Sequence, residues 1–491
     1  MAQPSVSLVK VHDKNSNGPD EQALDEVPLY EIRRAIHPRA VHGWFAAWRW
    51  ALVWATQIVF YGLAWLPWND RQAVHFDIVH RKFYIFGLVF WPQDIIYLTV
   101  LLIISALSLF LFTAVAGRLW CGYACPQTVY TEIFMWIEKL IEGDRAARMR
   151  LDAAPLDARK VGLKAAKHAA WIAVALWTGF TFVGYVTPIR ELGEEVLTVG
   201  RWVAGGTVPT IGPWESFWIL FYGFATYGNA GWMREQVCKY MCPYARFQSA
   251  MFDKDTLIIT YDRERGEPRG SRSRKSDPAA LGLGHCVDCN ICVQVCPTGI
   301  DIRDGLQYEC IGCAACIDGC DQVMEKVGYP KGLIRYSTTH AMEQKLTRAQ
   351  MFRHAFRPRV LLYSAILVGI VIAAGVSLWL RVPLKVDVIR DRAAIAREVE
   401  GGQIENVYRL QLMNTEEEER YYYVVVSGLP GIHLATPGQF MVDGASARMV
   451  TVRVRVAPGA VQPGTHAIQF QVSAAGVAGV EVREKSVFIV R

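Results

Sequence analysis

The chain has 491 residues and a formal net charge of +6, and 52% of its residues are hydrophobic, including 16 tryptophans. A soluble protein of this length rarely carries so large an apolar fraction, so the composition favours a membrane protein of about three domains. Lysine and arginine lie beside apolar segments, as in cytoplasmic loops of membrane proteins, so we expect contact with membrane lipid and no nucleic-acid partner.

Apolar segments of about twenty residues, the length that crosses the hydrocarbon core of a bilayer, recur along the chain. The second and fifth segments contain no charged residue, whereas the others are richer in Trp, Tyr, Gly and Thr, which suits helices that pack together. Arg49 lies near the start of the first segment, and we expect its side chain to reach the membrane interface. The predicted transmembrane helices are residues 44–66, 96–116, 168–188, 214–232 and 360–380.

The distribution of positive charge predicts the orientation. Segments 117–167 and 233–358 are rich in lysine and arginine, whereas 67–95 and 189–213 contain few. Because positively charged loops stay in the cytoplasm, both basic segments and the N-terminus are expected inside, and the C-terminal tail outside. We therefore predict a multi-pass protein of a bacterial-type inner membrane.

Residues 381–491 are predicted to form an all-β, immunoglobulin-like sandwich. Short stretches of alternating apolar and polar residues are separated there by Pro and Gly, a pattern typical of such domains. The segment has no cysteine, so we expect it to fold in the periplasm without a disulfide. The predicted strands are 408–412, 421–426, 450–456, 467–472 and 487–490.

Two cysteine runs with the same gaps predict a bacterial-type ferredoxin domain with two [4Fe-4S] clusters. In two-cluster ferredoxins the fourth cysteine of each run ligates the other cluster. Cys-x-x-Cys pairs also bind zinc, but two identical runs favour iron-sulfur clusters. One predicted ligand set is Cys286, Cys289, Cys292 and Cys320, and the other is Cys310, Cys313, Cys316 and Cys296.

The predicted domain order follows from these patterns. We expect residues 263–285 to be a flexible linker, because they are rich in Arg, Ser and Gly. The expected units are a cytoplasmic N-terminal segment (1–43), a four-helix transmembrane domain (44–262), the linker and ferredoxin domain in the cytoplasm (263–358), a fifth transmembrane helix (359–380) and the periplasmic sandwich (381–491).

The four remaining cysteines form two Cys-x-x-x-Cys-Pro motifs, Cys121 to Pro126 and Cys238 to Pro243. On a helix, this spacing would place both sulfurs of Cys121 and Cys125, or of Cys238 and Cys242, on one face. Soft thiolate ligands select Cu(I), so the four thiols are candidate copper ligands. Two alternatives stay open: the cysteines pack between helices, or each pair forms a redox disulfide.

Over nearly its whole length, the chain resembles the FixG/RdxA family of cytochrome c oxidase accessory proteins, also called CcoG. The resemblance rests on the segment Ile36–Phe45, the two Cys-x-x-x-Cys-Pro motifs, the run from Cys296 to Cys310 and the sandwich tail. It implies assembly of the cbb3-type oxidase by reduction of Cu(II) to Cu(I), with copper chaperones or oxidase assembly factors as partners. We expect electrons from a cytoplasmic donor, with Cys121, Cys125, Cys238 and Cys242 as catalytic residues.

Two rival functions are also open. One is a quinol-linked electron conduit, similar to the membrane ferredoxins of nitrate and nitrous-oxide respiration, which share the Cys-x-x-x-Cys-Pro pattern. The other is a non-enzymatic assembly scaffold, in which the outer sandwich docks an oxidase subunit.

Overall fold

The computed structural model describes residues 36–206, 208–273, 280–390, 396–477 and 479–490. The predicted N-terminal segment 1–43 therefore lies mostly outside the described residues. The α-helices are, in chain order, α1 (Trp44–Trp65), α2 (Ile95–Ala116), α3 (Leu119–Tyr123), α4 (Pro126–Glu142), α5 (Arg145–Ala153), α6 (Ala158–Val183), α7 (Ile189–Val203), α8 (Pro213–Thr226), α9 (Pro243–Met251), α10 (Arg263–Gly266), α11 (Ile291–Gln294), α12 (Ala315–Val327), α13 (Thr339–Gln344), α14 (Arg348–Ala355) and α15 (Pro358–Trp379).

Each of the five predicted spans contains a helix, but these helices differ in length and in apolar composition. Within the described residues, two are long and apolar enough to cross a membrane: Pro92–Ala116, which contains α2, and α15. The helix α6 begins with several Lys and Arg residues, and α8 has 14 residues before the backbone widens into the π-helical stretch Tyr227–Met233. The number of five spans therefore stays a prediction.

The helix pairs pack in two ways. Small residues bring α6 and α8 into close contact, because a β-carbon on Gly179 would lie 2.3 Å from the carbonyl oxygen of Ile219. The apolar helices α2 and α15 lie side by side, and the Tyr97 hydroxyl is 3.1 Å from the Ser377 hydroxyl. Most of their large apolar side chains remain exposed, as lipid-facing helices require.

The strands divide between small sheets and the C-terminal domain. They are β1 (Pro67–Trp68), β2 (Arg71–Gln72), β3 (Val74–Asp77), β4 (Lys82–Ile85), β5 (Leu88–Phe90), β6 (Ile258–Tyr261), β7 (Ile334–Ser337), β8 (Leu384–Arg390), β9 (Arg397–Val399), β10 (Gln403–Asn414), β11 (Arg420–Ser427), β12 (His433–Leu434), β13 (Gln439–Val442), β14 (Ala447–Val456), β15 (Gly464–Ala474) and β16 (Glu481–Val490).

The C-terminal domain is a sandwich of two antiparallel sheets. One has the order β12-β14-β10-β8 with β9 also on β10, and the other has the order β13-β11-β15-β16. Tyr408, Tyr422, Phe470 and Phe488 fill the core between the sheets. All the predicted strands lie inside β10, β11, β14, β15 and β16, whereas β8, β9, β12 and β13 were not predicted.

The sandwich and the ferredoxin domain lie at opposite ends of α2 and α15. At the end where α2 begins, Met413 of the sandwich packs with Val89 and Trp91 from the loop before α2. At the other end, the Thr256 hydroxyl donates a hydrogen bond to the carbonyl of Ala114, near the last turn of α2. Loop 67–95 and the tail thus lie at the same end of α2 and α15, and the location of that end in the periplasm stays a prediction.

The described part of segment 263–285 is packed, so the expectation of a flexible linker is wrong for those residues. The Asp262 side chain caps α10, and the backbone N–H of Gly270 donates to the carbonyl of Cys286 at 3.3 Å. The ring of His285 stacks on Tyr329 at 5.1 Å between centroids. Backbone hydrogen bonds and stacking therefore hold the segment against the first cysteine run, while residues 274–279 lie outside the described residues.

Candidate iron-sulfur and thiol site

The two ferredoxin runs fold into loops of the same shape. Asp288 and Asn290 in the first run have positive φ angles of 52° and 54°, and Gly312 and Ala314 occupy the equivalent positions in the second with 71° and 59°. These left-handed residues turn each loop back on itself before a helix, α11 in the first run and α12 in the second, begins. A loop of this kind lets successive Cys-x-x-Cys sulfurs face a common centre.

The thiols of Cys286, Cys289, Cys292 and Cys320 lie in one region. Burial raises the pKa of Cys320 to about 12, and the neighbouring Cys292, Cys289 and Cys286 thiols add to the rise. The fourth cysteine of the second run thus joins the first three of the first run, which is the arrangement that the ligand-exchange rule predicts.

The thiols of Cys296, Cys310, Cys313 and Cys316 form the second group. Burial raises the pKa of Cys316 well above its usual range, with Cys313, Cys310 and Cys296 adding to the rise. All four line a small cavity that apolar side chains such as Ile311 close. Free, convergent and enclosed thiols are the donor set that a [4Fe-4S] cluster requires, and such a cluster exchanges single electrons. The assignment of each thiol to a cluster stays a prediction.

Arg303 holds the first loop in shape. Its guanidinium donates to Asp288 at 2.7 Å and to Asp301 at 2.6 Å, and also to the side chain of Asn290. Asp288 and Asn290 flank Cys289. The buried Arg303 side chain therefore stabilises the loop that carries the first group of thiols. The sequence offers no signal for Arg303, because a single Arg beyond the cysteine motif carries no pattern of its own.

The paired cysteines do not share a continuous helix, so the prediction of one helical face is wrong. Cys121 lies in α3, but Cys125 has an extended backbone and caps α4. Likewise Cys238 lies in the π-helical stretch Val237–Met241, and Cys242 caps α9 with an extended backbone. The cause is the proline that follows each motif, since the helical conformation is sterically disfavoured for the residue before a proline.

The two motifs nevertheless meet. Burial raises the pKa of Cys121 to about 11 and that of Cys238 to about 12, and the Cys125 and Cys242 thiols add to both rises. The Gln248 amide also donates to the Cys121 sulfur at 3.5 Å. All four are free thiols, so a soft metal that bound them as thiolate ligands would displace their protons.

The thiol pairs adjoin the ferredoxin domain directly. A β-carbon on Gly122 would lie 2.8 Å from the Cα of Cys313, so glycine alone allows this approach of α3 to the second cysteine run. Arg118 joins the same elements by donating to the carbonyl of Tyr308 and, at 2.7 Å, to that of Ala245 in α9. From the sequence, this basic region indicates only a cytoplasmic loop.

Arg49 is buried, so the expectation that its side chain reaches the membrane interface is wrong. Its exposed fraction is 7%, and its guanidinium pairs with Glu132 of α4 at 3.6 Å. Burial raises the pKa of Cys313, and the nearby positive charge of Arg49 opposes that rise. The side chain turns inward because α1 packs on both α4 and the ferredoxin domain.

Three family models match the chain: a 4Fe-4S binding domain over residues 98–142, a 4Fe-4S dicluster domain over 233–339 and the IG-like fold at the C-terminal of FixG over 374–491. The nitrogen fixation protein FixG of Rhizobium meliloti (strain 1021) is 38% identical over 458 residues, covering 87% of this chain and 85% of the relative. The chain belongs to the FixG/RdxA family. Protein RdxA of Cereibacter sphaeroides is also 38% identical, covering 90% and 93% of the two chains.

Membership in the FixG/RdxA family confirms an iron-sulfur protein with an immunoglobulin-like C-terminal domain. The dicluster model spans every ferredoxin cysteine and also Cys238 and Cys242, and the 4Fe-4S binding model spans Cys121 and Cys125. Among solved structures, a FixG-related protein from Vibrio parahaemolyticus matches 22% of this chain and 97% of its own length, with 22% identity and a TM-score of 0.20.

Proposed function

We propose that this FixG/RdxA-family protein is a membrane-bound electron-transfer protein that reduces Cu(II) to Cu(I) for the copper centre of cbb3-type cytochrome c oxidase. Its place would be the bacterial inner membrane, with the ferredoxin domain in the cytoplasm and the sandwich in the periplasm. Copper chaperones or oxidase assembly factors would receive the product. The oxidase target is an implication of the family resemblance.

The observation that carries the proposal is the contact between Gly122 and Cys313. Beside this contact, Cys121 and Cys238 pack, together with Cys316, against the buried cluster that includes Cys313 of the second group of ferredoxin thiols, and Cys125 and Cys242 lie close to Cys121. An electron carrier and a set of soft metal ligands thus share one interface, and a one-electron reduction needs both.

The four paired thiols would stabilise Cu(I), the product of the reduction. Each Cu(II) takes up one electron to become Cu(I), and each thiol that binds the ion releases its proton to solvent. Thiolates bind Cu(I) in preference to harder ions, so the site stabilises the reduced product and lowers the tendency of the electron to return.

The test is anaerobic and uses the full-length protein in detergent with its clusters reduced. Cu(II) is added, cluster oxidation is followed by absorbance, and Cu(I) is captured by a specific chelator. We expect prompt, stoichiometric oxidation with Cu(I) released, and loss of both in the Cys121→Ser/Cys125→Ser/Cys238→Ser/Cys242→Ser variant. Clusters that stay reduced beside unreacted Cu(II) would overturn the proposal.

Iron analysis of the same two proteins provides the control. Two clusters correspond to about eight iron atoms per chain, and the four-serine variant should retain them all. A fall from about twelve to about eight would instead assign a third cluster to the paired thiols and rule out direct copper binding there. Normal oxidase assembly in cells carrying Cys292→Ser would point to the scaffold function.

A further inference from the structure

A cavity lies between α1, α4 and the end of the first cysteine run. Its volume is about 660 Å³, within the usual range for small-molecule sites. Trp50 and Trp54 of α1 and Trp136 of α4 form its aromatic wall, and Val295 and Pro297 line it from the ferredoxin side. Those last two residues flank Cys296, so a molecule in the cavity would lie beside the second group of ferredoxin thiols.

The inner wall of the cavity carries an incompletely paired cation. Arg49 lines it and is more than nine-tenths buried. One end of its guanidinium pairs with Glu132, but its Nε has no hydrogen-bond partner in the part of the chain that the structure describes. A buried donor without an acceptor is unfavourable, so this wall is suited to a ligand that presents an oxygen.

The outer wall faces the expected membrane. Trp54 is 57% exposed and Trp136 is 44% exposed, and Trp136 packs edge to face against Trp50 at 6.1 Å. Because α1 occupies the first predicted span, these indoles lie where tryptophans gather at a membrane surface. The opening therefore suits a planar, lipid-soluble molecule rather than a soluble protein donor.

A hydrated Cu(II) ion is a poor alternative occupant. Besides Arg49, the lining includes Arg39, Lys139 and Arg148, against the two carboxylates of Glu132 and Asp144. This excess of positive charge repels a free divalent cation, whereas it does not oppose an uncharged ring with carbonyl oxygens.

We propose that this cavity binds a membrane hydroquinone, which supplies the electrons. The ring would lie among Trp50, Trp54 and Trp136, with one oxygen accepting a hydrogen bond from the Arg49 guanidinium. The proposal goes beyond copper reduction and replaces the expected cytoplasmic donor with a lipid-soluble one.

The oxidation balances with groups that this chain provides. A hydroquinone that becomes a quinone loses two electrons and two protons. The two [4Fe-4S] clusters that the eight ferredoxin cysteines would hold would accept one electron each. The Glu132 carboxylate is placed to accept one proton, and the second leaves through the exposed side of the cavity near His42.

Binding can be tested without copper and without turnover. Full-length protein in lipid nanodiscs is equilibrated with oxidised decylubiquinone, and a photoreactive azidoquinone is cross-linked and mapped by mass spectrometry. We expect cross-links within residues 44–57 and 132–139, and at least about tenfold weaker decylubiquinone binding in Trp54→Ala. Trp48→Ala is the matched control, because Trp48 is 51% exposed on the same helix but does not line the cavity.

Arg49→Met is combined with Glu132→Gln, so that no buried charge is left unpaired. This double variant should bind decylubiquinone at least about tenfold more weakly while circular dichroism stays unchanged. Equal binding by wild type and variant, or cross-links confined to other regions, would overturn the proposal. Quinone binding without cupric reduction would contradict only the proposed function, and cupric reduction without quinone binding would contradict only this inference.

Discussion

Asp318 accepts a hydrogen bond of 2.7 Å from the backbone N–H of Ala46, in the first turn of α1. Asp318 lies between the cysteines at 316 and 320, so the second cysteine run itself caps the first predicted span. A carboxylate at a helix N-terminus satisfies unpaired N–H groups and interacts favourably with the helix dipole. The ferredoxin domain is therefore fixed to α1 rather than joined to it only through the chain.

Replacing this cap should loosen that attachment. Asp318→Ala is expected to destabilise the start of α1 by about 1 to 2 kcal/mol, because the cap and its charge are both lost. Hydrogen exchange of residues 44–50 is the measurement, and it should accelerate in the variant. Glu325→Ala, on the exposed side of α12, is the control and should exchange like the wild type.

Filling the space at Gly122 should separate the paired thiols from the ferredoxin domain. In Gly122→Ala, the new methyl would lie 2.8 Å from the Cα of Cys313, and the shift that relieves this clash costs about 1 to 3 kcal/mol. We expect slower cluster oxidation by Cu(II) with the iron content unchanged. Gly162→Ala, which has open space around it in α6, should react at the wild-type rate; equal rates in both variants would contradict the role of this contact.

Arg303 should be required for one cluster and not for the other. In Arg303→Met, the buried hydrogen bonds to Asp288, Asp301 and Asn290 are lost, and the first loop should no longer hold its shape. Iron analysis is expected to show a loss of about four of about eight iron atoms per chain. The Arg263 side chain donates to the backbone carbonyl of Arg303 at 3.4 Å, so the control Arg263→Met leaves the Arg303 side-chain hydrogen bonds in place and should keep all the iron.

The sandwich should lose stability in acid through Glu405. Burial raises the pKa of its carboxyl, but hydrogen bonds from Arg397 and Arg455 outweigh burial and hold the pKa below its usual value of 4.5. Because the pKa is lower in the folded state, the ionised group stabilises the fold at pH values above about 4.5, and this contribution is lost as the pH falls through the folded pKa.

Hydrogen exchange of β10 and β14 at pH 7 and pH 4 measures this effect. Glu405→Gln should destabilise the sandwich by about 1 to 3 kcal/mol at pH 7 and reduce the difference between the two pH values. Glu398→Gln, on the neighbouring β9, should keep the wild-type difference. A wild-type sandwich that is equally stable at both pH values would count against Glu405 as the cause.

The predicted orientation can be tested by labelling intact spheroplasts with a membrane-impermeant maleimide. Ser427→Cys in the sandwich should react, whereas Lys345→Cys beside the ferredoxin domain should react only after permeabilisation, because both positions are exposed but are predicted on opposite sides. The native cysteines should stay unlabelled in intact cells. Labelling of Lys345→Cys before permeabilisation would show that the predicted topology is wrong.

The sequence alone determined the features that depend on neighbouring residues. The Cys-x-x-Cys runs predict cluster loops because the ligands of each loop are almost contiguous, and the strands inside β10, β11, β14, β15 and β16 alternate in polarity over a long enough stretch to be recognised. Short strands such as β9 and β12, with three and two residues, are too short for any such pattern.

The tertiary structure decided how distant segments meet. Cys121 and Cys238 are more than a hundred positions apart, and neither motif reveals that they share one region or that Gly122 contacts Cys313. Arg49 looked like an interfacial residue because its partner Glu132 comes from another helix. The reason is physical: spacing within a motif fixes local geometry, whereas burial, ion pairing and cavities arise only when separate elements pack together.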